Sequence, residues 1–313
     1  MTTNRALKIA VMGSGGVGGY FGGRLAASGC DVTFIARGDH LAAIRQNGLQ
    51  IESRDRGNAT IRPAKATDDP SRIGSVDYVL IGVKLWETEE AGRAILPLVG
   101  PETTVISLQN GVECDDVLAG IVGAEHLIGG VAFIASSIAR PGVIAHIGAM
   151  QRVVLGELSG GSSQRVERLH DALTAGGVTA EISDDIQRTV WEKFVFLVGL
   201  SATTTLMRTT IGPIREDPDS REFLHAAMRE TVAVARARGI RLAPDYADDR
   251  LAFADGLPPD MTSSMHHDLE RGNRLEVGWL SGAVARFGRE HAIPTPVNHT
   301  VYAALKPRAA PGR

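Results

Sequence analysis

KIAVMGSGGVG, Lys8 to Gly18, decides how the rest of the chain is read. The short apolar run Lys8 to Met12 passes straight into glycines. Such a run suits a strand buried on both faces of a parallel sheet. The small residues Gly19 to Ser28 then read as a helix closed by Gly29. Gly13, Gly15 and Gly18 give G-x-G-x-x-G between that strand and that helix, the context in which the spacing carries physical meaning. The first glycine permits a tight turn, the second lets a pyrophosphate approach the backbone, and the third lets helix and strand pack closely. Free N–H groups and partial positive charge at the helix start attract phosphate. Gly13, Ser14, Gly15, Gly16, Val17 and Gly18 are therefore expected to hold a dinucleotide; the plain alternative is a structural turn.

Strands and helices keep alternating outward from this loop. Asp31 to Ala36, Asp77 to Val83 and Thr103 to Leu108 read as strands. Asp39 to Gln46 and Glu87 to Leu96 read as helices, the second ending before Pro97. Alternation of this kind predicts an α/β fold, a Rossmann-type doubly wound parallel sheet. Residues 49–65 and 127–157 carry shorter β-like pieces, including Val143 to Ile147 and Arg152 to Leu155, expected at a sheet edge. Ser159 to Ser163 reads as a surface loop before the helix Gln164 to Ala175, and 178–185 marks the end of the first domain. From Ile186 onward only helical periodicity is visible. The expected organisation is a nucleotide-binding domain, 1–183, and an all-helical substrate and catalytic domain, 184–313, with the active cleft between them. The tail from Lys306, KPRAAPGR, is expected to fray.

Composition narrows the partners. With 33 basic and 36 acidic residues the net charge is -3, which offers no electrostatic footprint for nucleic acid or an anionic membrane. Two cysteines, Cys30 and Cys114, exclude a disulfide framework and a cysteine zinc site, and fit a reducing, cytoplasmic setting. No metal site is expected. No uninterrupted apolar run reaches the length of a membrane span, and Ile9 to Met12 is too short for a secretory core. The amphipathic stretch Phe223 to Ala237 is a candidate for pairing subunits in a homodimer.

The end of the second strand bears on the cofactor. An NAD site places Asp or Glu there to bond the ribose 2′-OH, whereas this chain has Ile35-Ala36-Arg37-Gly38-Asp39. Arg37 can hold a 2′-phosphate bidentately, so NADP is expected. The plain alternative is a solvated arginine with Asp39 as helix cap. Lys84, after the Asp77–Val83 strand, lies on the carboxyl edge where it can add a second cation or be a simple surface lysine.

With these residues in view, the chain resembles the ketopantoate reductase (2-dehydropantoate 2-reductase) family along nearly its whole length. The resemblance rests on GSGGVGGYFGGRLAASG (Gly13 to Gly29), IARG (Ile35 to Gly38), VKLWET (Val83 to Thr88) and LQNGVE (Leu108 to Glu113). It continues in WEKF (Trp191 to Phe194) and SSMHHDLERGNRLEVGWLSGAV (Ser263 to Val284). It implies delivery of an NADPH hydride to the keto carbon of a 2-oxo acid, with Lys193 as proton donor at the carbonyl oxygen. Asn110 is then expected beside nicotinamide and substrate, Glu276 near the substrate hydroxyl and the cofactor, and Ser264 on the substrate. Ala135 joins the expected nucleotide contacts. The apolar neighbours Val190, Trp191, Phe194, Val195 and Phe196 should lower the Lys193 pKa. On one straight helix Ser264 and Glu276 would lie ~18 Å apart, so a break at Gly272-Asn273 is expected. Ser264 as a helix cap and Glu276 as an exposed acid are the plain alternatives. Asp268 and Arg271 can pair or orient this region, and the adjacent His266 and His267 point to different helix faces and make a poor metal pair.

The chain departs from the family where asparagines follow the lysine one and two helical turns on, with another beyond. Here those positions hold Leu197, Ser201 and Ile211. Lys193, Leu197 and Ser201 share a helix side, so a related but more apolar 2-oxo acid is one expectation. Ketopantoate held by Thr203, Thr204 or Arg208 is another. Two rival readings remain: a dehydrogenase of another carbonyl or imine, and a redox-sensing NADP-binding regulator without turnover. A sensor needs neither Lys193 nor Glu276.

Overall fold

The fold grows from two-sided strands. In β1 (Lys8–Met12), Ile9 and Val11 point to one face of the sheet while Ala10 and Met12 point to the other, and all four are buried. The computed structural model describes residues 5–309. The chain divides into two units, Met1–Ile186 and Gln187–Arg313.

The first unit runs through α1 (Gly16–Ala27), β2 (Asp31–Ile35), α2 (Gly38–Asn47), β3 (Leu49–Ser53), β4 (Ala59–Ile61), β5 (Lys65–Thr67) and β6 (Tyr78–Ile81). It continues with α3 (Thr88–Ala94), β7 (Thr104–Ser107), α4 (Cys114–Val122), β8 (Leu127–Arg140), β9 (Val143–Gly156), α5 (Gln164–Ala175) and β10 (Thr179–Ile182). The strand order is β4-β3-β9-β8-β7-β6-β1-β2-β5, with β10 also on β9. From β5 to the start of β8 every pairing is parallel. One face packs Val11, Phe34 and Ile51 with Tyr20, Phe21 and Leu25 of α1. The opposite face packs Met12 and Ile81 with Ala91 of α3 and Leu118 of α4.

The parallel-rich sheet followed by helices is as expected, and details differ. One side of the sheet also carries antiparallel pairings, β8 with β9 and β3 with β4. Residues 127–156 are not short edge pieces but two 14-residue strands inside the sheet. Register irregularities at Ile134/Ser136 and Ile138/Arg140 interrupt the alternation of side chains, which hid the length of these strands from pattern reading. The 178–185 segment contributes a strand, β10, parallel to β9. Pro97 does not follow a helix ending at Leu96: α3 stops at Ala94, and Leu96–Leu98 forms a separate 3₁₀ turn.

The second unit is helical: α6 (Ile186–Met207, starting at the boundary residue), α7 (Ile211–Glu216), α8 (Pro218–Ala237), α9 (Tyr246–Asp255), α10 (Ser264–Glu270), α11 (Ser281–Glu290) and α12 (Pro296–Leu305). The helix α6 has the length and apolarity of a membrane span, but Trp191, Phe194, Val195, Val198 and Ala202 are buried in the protein, as in a core helix. In α8 the apolar residues Leu224, Ala227, Met228, Val232 and Ala235 are all buried. That helix packs on α7, α9, α11 and α12, so its buried apolar residues serve the core of their own unit. The tail is ordered at its start, where Lys306–Arg308 forms a 3₁₀ turn and the Lys306 ammonium lies 5.5 Å from the Tyr302 ring. The rest of that stretch, 310–313, lies outside the described residues.

Candidate active site

Each glycine of the loop meets a different constraint. Gly13 has φ +90°, and a Cβ there would lie 2.6 Å from the Val83 side chain. Its N–H and that of Ser14 donate to the Ile35 carbonyl at 3.3 and 3.2 Å, tying the loop to the end of β2. A Cβ on Gly18 would lie 2.2 Å from the Gly13 carbonyl oxygen, so the strand-to-helix turn closes only around a bare Cα. Gly15 differs: a Cβ there would meet nothing within 4 Å. Gly15 is also the N-cap of α1, and no side chain caps that helix. The first intrahelical bond is donated by Gly19, to the Gly15 carbonyl at 2.7 Å. The amides of Gly16, Val17 and Gly18 therefore start a helix without intrahelical acceptors. An open approach to uncapped amides fits a phosphate-bearing group.

Ser14 is buried, and its hydroxyl, like its N–H, donates to the Ile35 carbonyl, at 3.1 Å. A Cβ on Gly16 would lie 2.4 Å from the Ser136 carbonyl oxygen, which puts β8 against the loop. Ala135 is exposed at the register irregularity of that strand.

At the carboxyl ends of the parallel strands, Arg37 forms the N-cap of α2 through its backbone, with Asp39 one step inside the first turn. Asp39 is therefore not the cap. The Arg37 guanidinium is 61% exposed and sits 3.8 Å from Glu87 and 3.5 Å from Glu90, weak pairs that leave it able to take a stronger anion. Lys84 is exposed, with its ammonium 5.8 Å from the Trp86 ring. Asn110 follows β7 and is half-buried; its carbonyl accepts from the Cys114 thiol at 3.7 Å. Gln109, a residue of the LQNGVE stretch not singled out in the sequence, organises this edge. Its amide donates to the Val83 carbonyl at 3.0 Å and to Thr88 Oγ1 at 2.8 Å, while its oxygen accepts from Ser107 at 3.1 Å.

In the helical unit, Lys193 is half-buried on α6, flanked by Trp191 and Phe194, whose rings pack edge to face at 5.4 Å. Burial of the ammonium pushes its pKa down to about 8, and the Glu276 carboxylate works in the opposite direction. Glu276 is itself only 7% exposed, so it is not a surface acid. Ser201, two turns beyond Lys193, has a buried hydroxyl without a hydrogen-bond partner. Its neighbours behave differently. Thr203 donates to the Gly199 carbonyl at 2.9 Å and Thr204 to the Leu200 carbonyl at 2.7 Å, so both hydroxyl protons are spent inside the helix. Leu197 is half-buried, Ile211 is fully buried at the start of α7, and Arg208 is exposed at φ +52° where α6 ends.

The break after α10 is present: the helix ends at Glu270 and Gly272 takes φ +68°. The cap of α10 is Ser263, not Ser264; Ser263 Oγ accepts from the His266 amide at 3.1 Å and lies 3.0 Å from Thr204 Oγ1. Ser264 is the exposed first residue of the helix. His266 is buried with Nδ1 2.8 Å from the Thr204 carbonyl, which fastens α10 to α6, whereas His267 is exposed. Asp268 accepts from Asn273 Nδ2 at 3.0 Å, so it helps to shape the break.

A glycine-loop nucleotide sheet followed by an all-helical unit defines a pyridine-nucleotide-dependent oxidoreductase. The ketopantoate reductase PanE/ApbA family model matches residues 9–160, and its C-terminal counterpart matches residues 185–309. The chain belongs to the ketopantoate reductase family. It is 32% identical to the 2-dehydropantoate 2-reductase of Mesorhizobium japonicum over 96% of this chain and 97% of the relative. It superposes on the crystal structure of 2-dehydropantoate 2-reductase from Geobacter metallireducens with TM-score 0.89, 34% identity, and 96% and 99% of the two chains covered. It also shares its fold with a ternary structure of D-mandelate dehydrogenase with NADH and anilino(oxo)acetate, at TM-score 0.87, 22% identity and coverage of 97% and 98%.

Proposed function

We propose that this protein uses NADPH to reduce a 2-oxo acid to the 2-hydroxy acid, with Lys193 giving the proton to the carbonyl oxygen. The observation that carries this reading is the Lys193 ammonium, held by burial at a pKa of about 8 with the buried acid Glu276 acting on it. A cation of that strength neutralises negative charge growing on a carbonyl oxygen and then releases a proton near neutral pH. A surface lysine would hold its proton too tightly.

The glycine loop fits the dinucleotide: Gly15 is open to approach, and the first amides of α1 are uncapped. Gly13 to Gly18 would hold the pyrophosphate, Arg37 and Lys84 the adenosine phosphates, and Asn110 and Ala135 the nicotinamide side. When bound, the reduced nicotinamide supplies a hydride. Arg37 at the end of β2 favours NADP over NAD, because an acid there would repel a 2′-phosphate. Glu276 keeps Lys193 protonated at neutral pH by opposing the effect of burial. Ser264 and Ser201 would take polar atoms of the substrate, and the unpartnered Ser201 hydroxyl supports that role.

Leu197 supports a second reading of the substrate, a 2-oxo acid with a more apolar side chain than ketopantoate. An isobutyl group replaces an amide on the lysine side of α6, so a polar substrate loses hydrogen bonds worth about 1 kcal/mol each. The free thiols of Cys30 and Cys114 accord with work in the reducing cytoplasm. The test is NADPH oxidation with a panel of 2-dehydropantoate and 2-oxo acids bearing alkyl or aryl side chains. Turnover confined to the apolar acids selects the second reading; turnover with none, despite NADPH binding, ends the 2-oxo acid reading and leaves the sensor or a dehydrogenase of another carbonyl or imine.

A further inference from the structure

His40, on α2, bridges two backbone groups that are far apart in sequence. The Gly142 N–H, in the turn between β8 and β9, donates to His40 Nδ1 at 3.0 Å. An amide cannot accept, so Nδ1 carries no proton. The Nε2 proton is then present and is donated to the Ser14 carbonyl, 2.9 Å away in the glycine loop. Burial pushes the His40 pKa down, which keeps the ring in this neutral form.

The consequence for the loop follows from peptide geometry. The Ser14–Gly15 peptide is planar and trans, so a fixed Ser14 carbonyl also fixes the Gly15 N–H pointing the opposite way. The Ser14 hydroxyl already anchors the other side of the residue on the Ile35 carbonyl. The far end of the bridge is equally constrained. Gly142 has φ +79°, a Cβ on it would press the Ala43 side chain of α2 at 3.0 Å, and its carbonyl accepts from Gln50 at 2.9 Å. One imidazole thus ties together the glycine loop, the helix whose N-cap is Arg37 and the turn that follows the strand bearing Ala135.

We infer that His40 is a positioning residue for the dinucleotide: it sets the amides of the glycine loop before the phosphates arrive, acting through the Ser14 carbonyl without touching the ligand. The inference rests on the dinucleotide reading of the loop. Rigid donors bind more tightly because their ordering cost is met in advance.

The test compares two variants of similar bulk, His40→Gln, which keeps a side-chain N–H donor, and His40→Leu, which keeps none. NADPH affinity is measured by fluorescence titration, and amide exchange over residues 13–18 is followed without ligand. His40→Leu should bind NADPH about tenfold more weakly and exchange faster in that stretch, and His40→Gln should recover most of both. Equal NADPH affinities in the two variants overturn the proposal. A wild type that binds neither NADPH nor NADH, yet shows the exchange difference, would sink the dinucleotide reading and leave the clamp standing. Should His40→Leu fail to fold, imidazole ¹⁵N shifts of the wild type decide: a neutral Nε2–H ring supports the clamp, and an Nδ1–H ring overturns it.

Discussion

Lys193 combines two opposed influences, burial that drives off its proton and Glu276 that keeps it. Burial is the larger, and the balance near pH 8 sets a testable sign. In the proposed reaction the ammonium is the form that donates, so reduction should proceed below pH 8 and fail as pH rises through it. Oxidation of the hydroxy acid needs the free amine and should rise over the same range. Glu276→Gln removes the opposing charge, so the falling limb of kcat for reduction should move to lower pH; a limb that stays in place would separate Glu276 from Lys193. The same burial costs stability. A lysine whose folded pKa lies below its unfolded value of 10.5 destabilises the fold wherever it is protonated in both states. Lys193→Met should therefore raise Tm at pH 7, the gain shrinking as pH is raised from 8 toward 10.5. Arg37 acts at the same scale. Arg37→Ala should raise the KM for NADPH by about tenfold or more, with far less effect on NADH, because a charge-assisted bond to a phosphate is worth about 1.5–3 kcal/mol. Equal effects on the two cofactors would contradict a 2′-phosphate contact.

At the scale of elements, two glycines of one loop should respond in opposite ways. Gly15→Ala places a methyl in open space, so Tm should hold while NADPH affinity falls. Gly18→Ala drives a methyl to 2.2 Å from the Gly13 carbonyl, so the fold itself should lose about 1–3 kcal/mol. Thermal melts and NADPH titrations on both variants separate a ligand-approach glycine from a packing glycine. The tight turn at Gly13 and the close packing at Gly18 were legible in the sequence, because G-x-G-x-x-G lies between a buried strand and a helix. The helix break at Gly272 was legible for the same local reason. The strands β8 and β9 were not: their irregular register breaks the two-residue period, and each strand is held by partners distant in the chain. Ser263 as the cap of α10 was missed because Ser263 and Ser264 look equivalent until the helix start is known. His40 gave no signal at all, since its two partners, Ser14 and Gly142, meet it only in the folded state.

For the whole molecule, the order of elements identified a nucleotide sheet followed by helices, while the proposed choice of substrate turns on a few side chains of α6. Leu197→Asn tests that choice. It should raise the ratio of kcat/KM for 2-dehydropantoate over an alkyl 2-oxo acid by about tenfold, the worth of a regained polar contact and a less apolar wall. An unchanged ratio would remove Leu197 from the substrate's surroundings. The central claim concerns the proton, and Lys193→Ala addresses it directly through kcat for 2-oxo acid reduction and, in parallel, the Kd for NADPH. The expected result is a kcat lower by ~100-fold or more with Kd nearly unchanged. A Lys193→Ala enzyme that turns over at the wild-type rate would contradict the account.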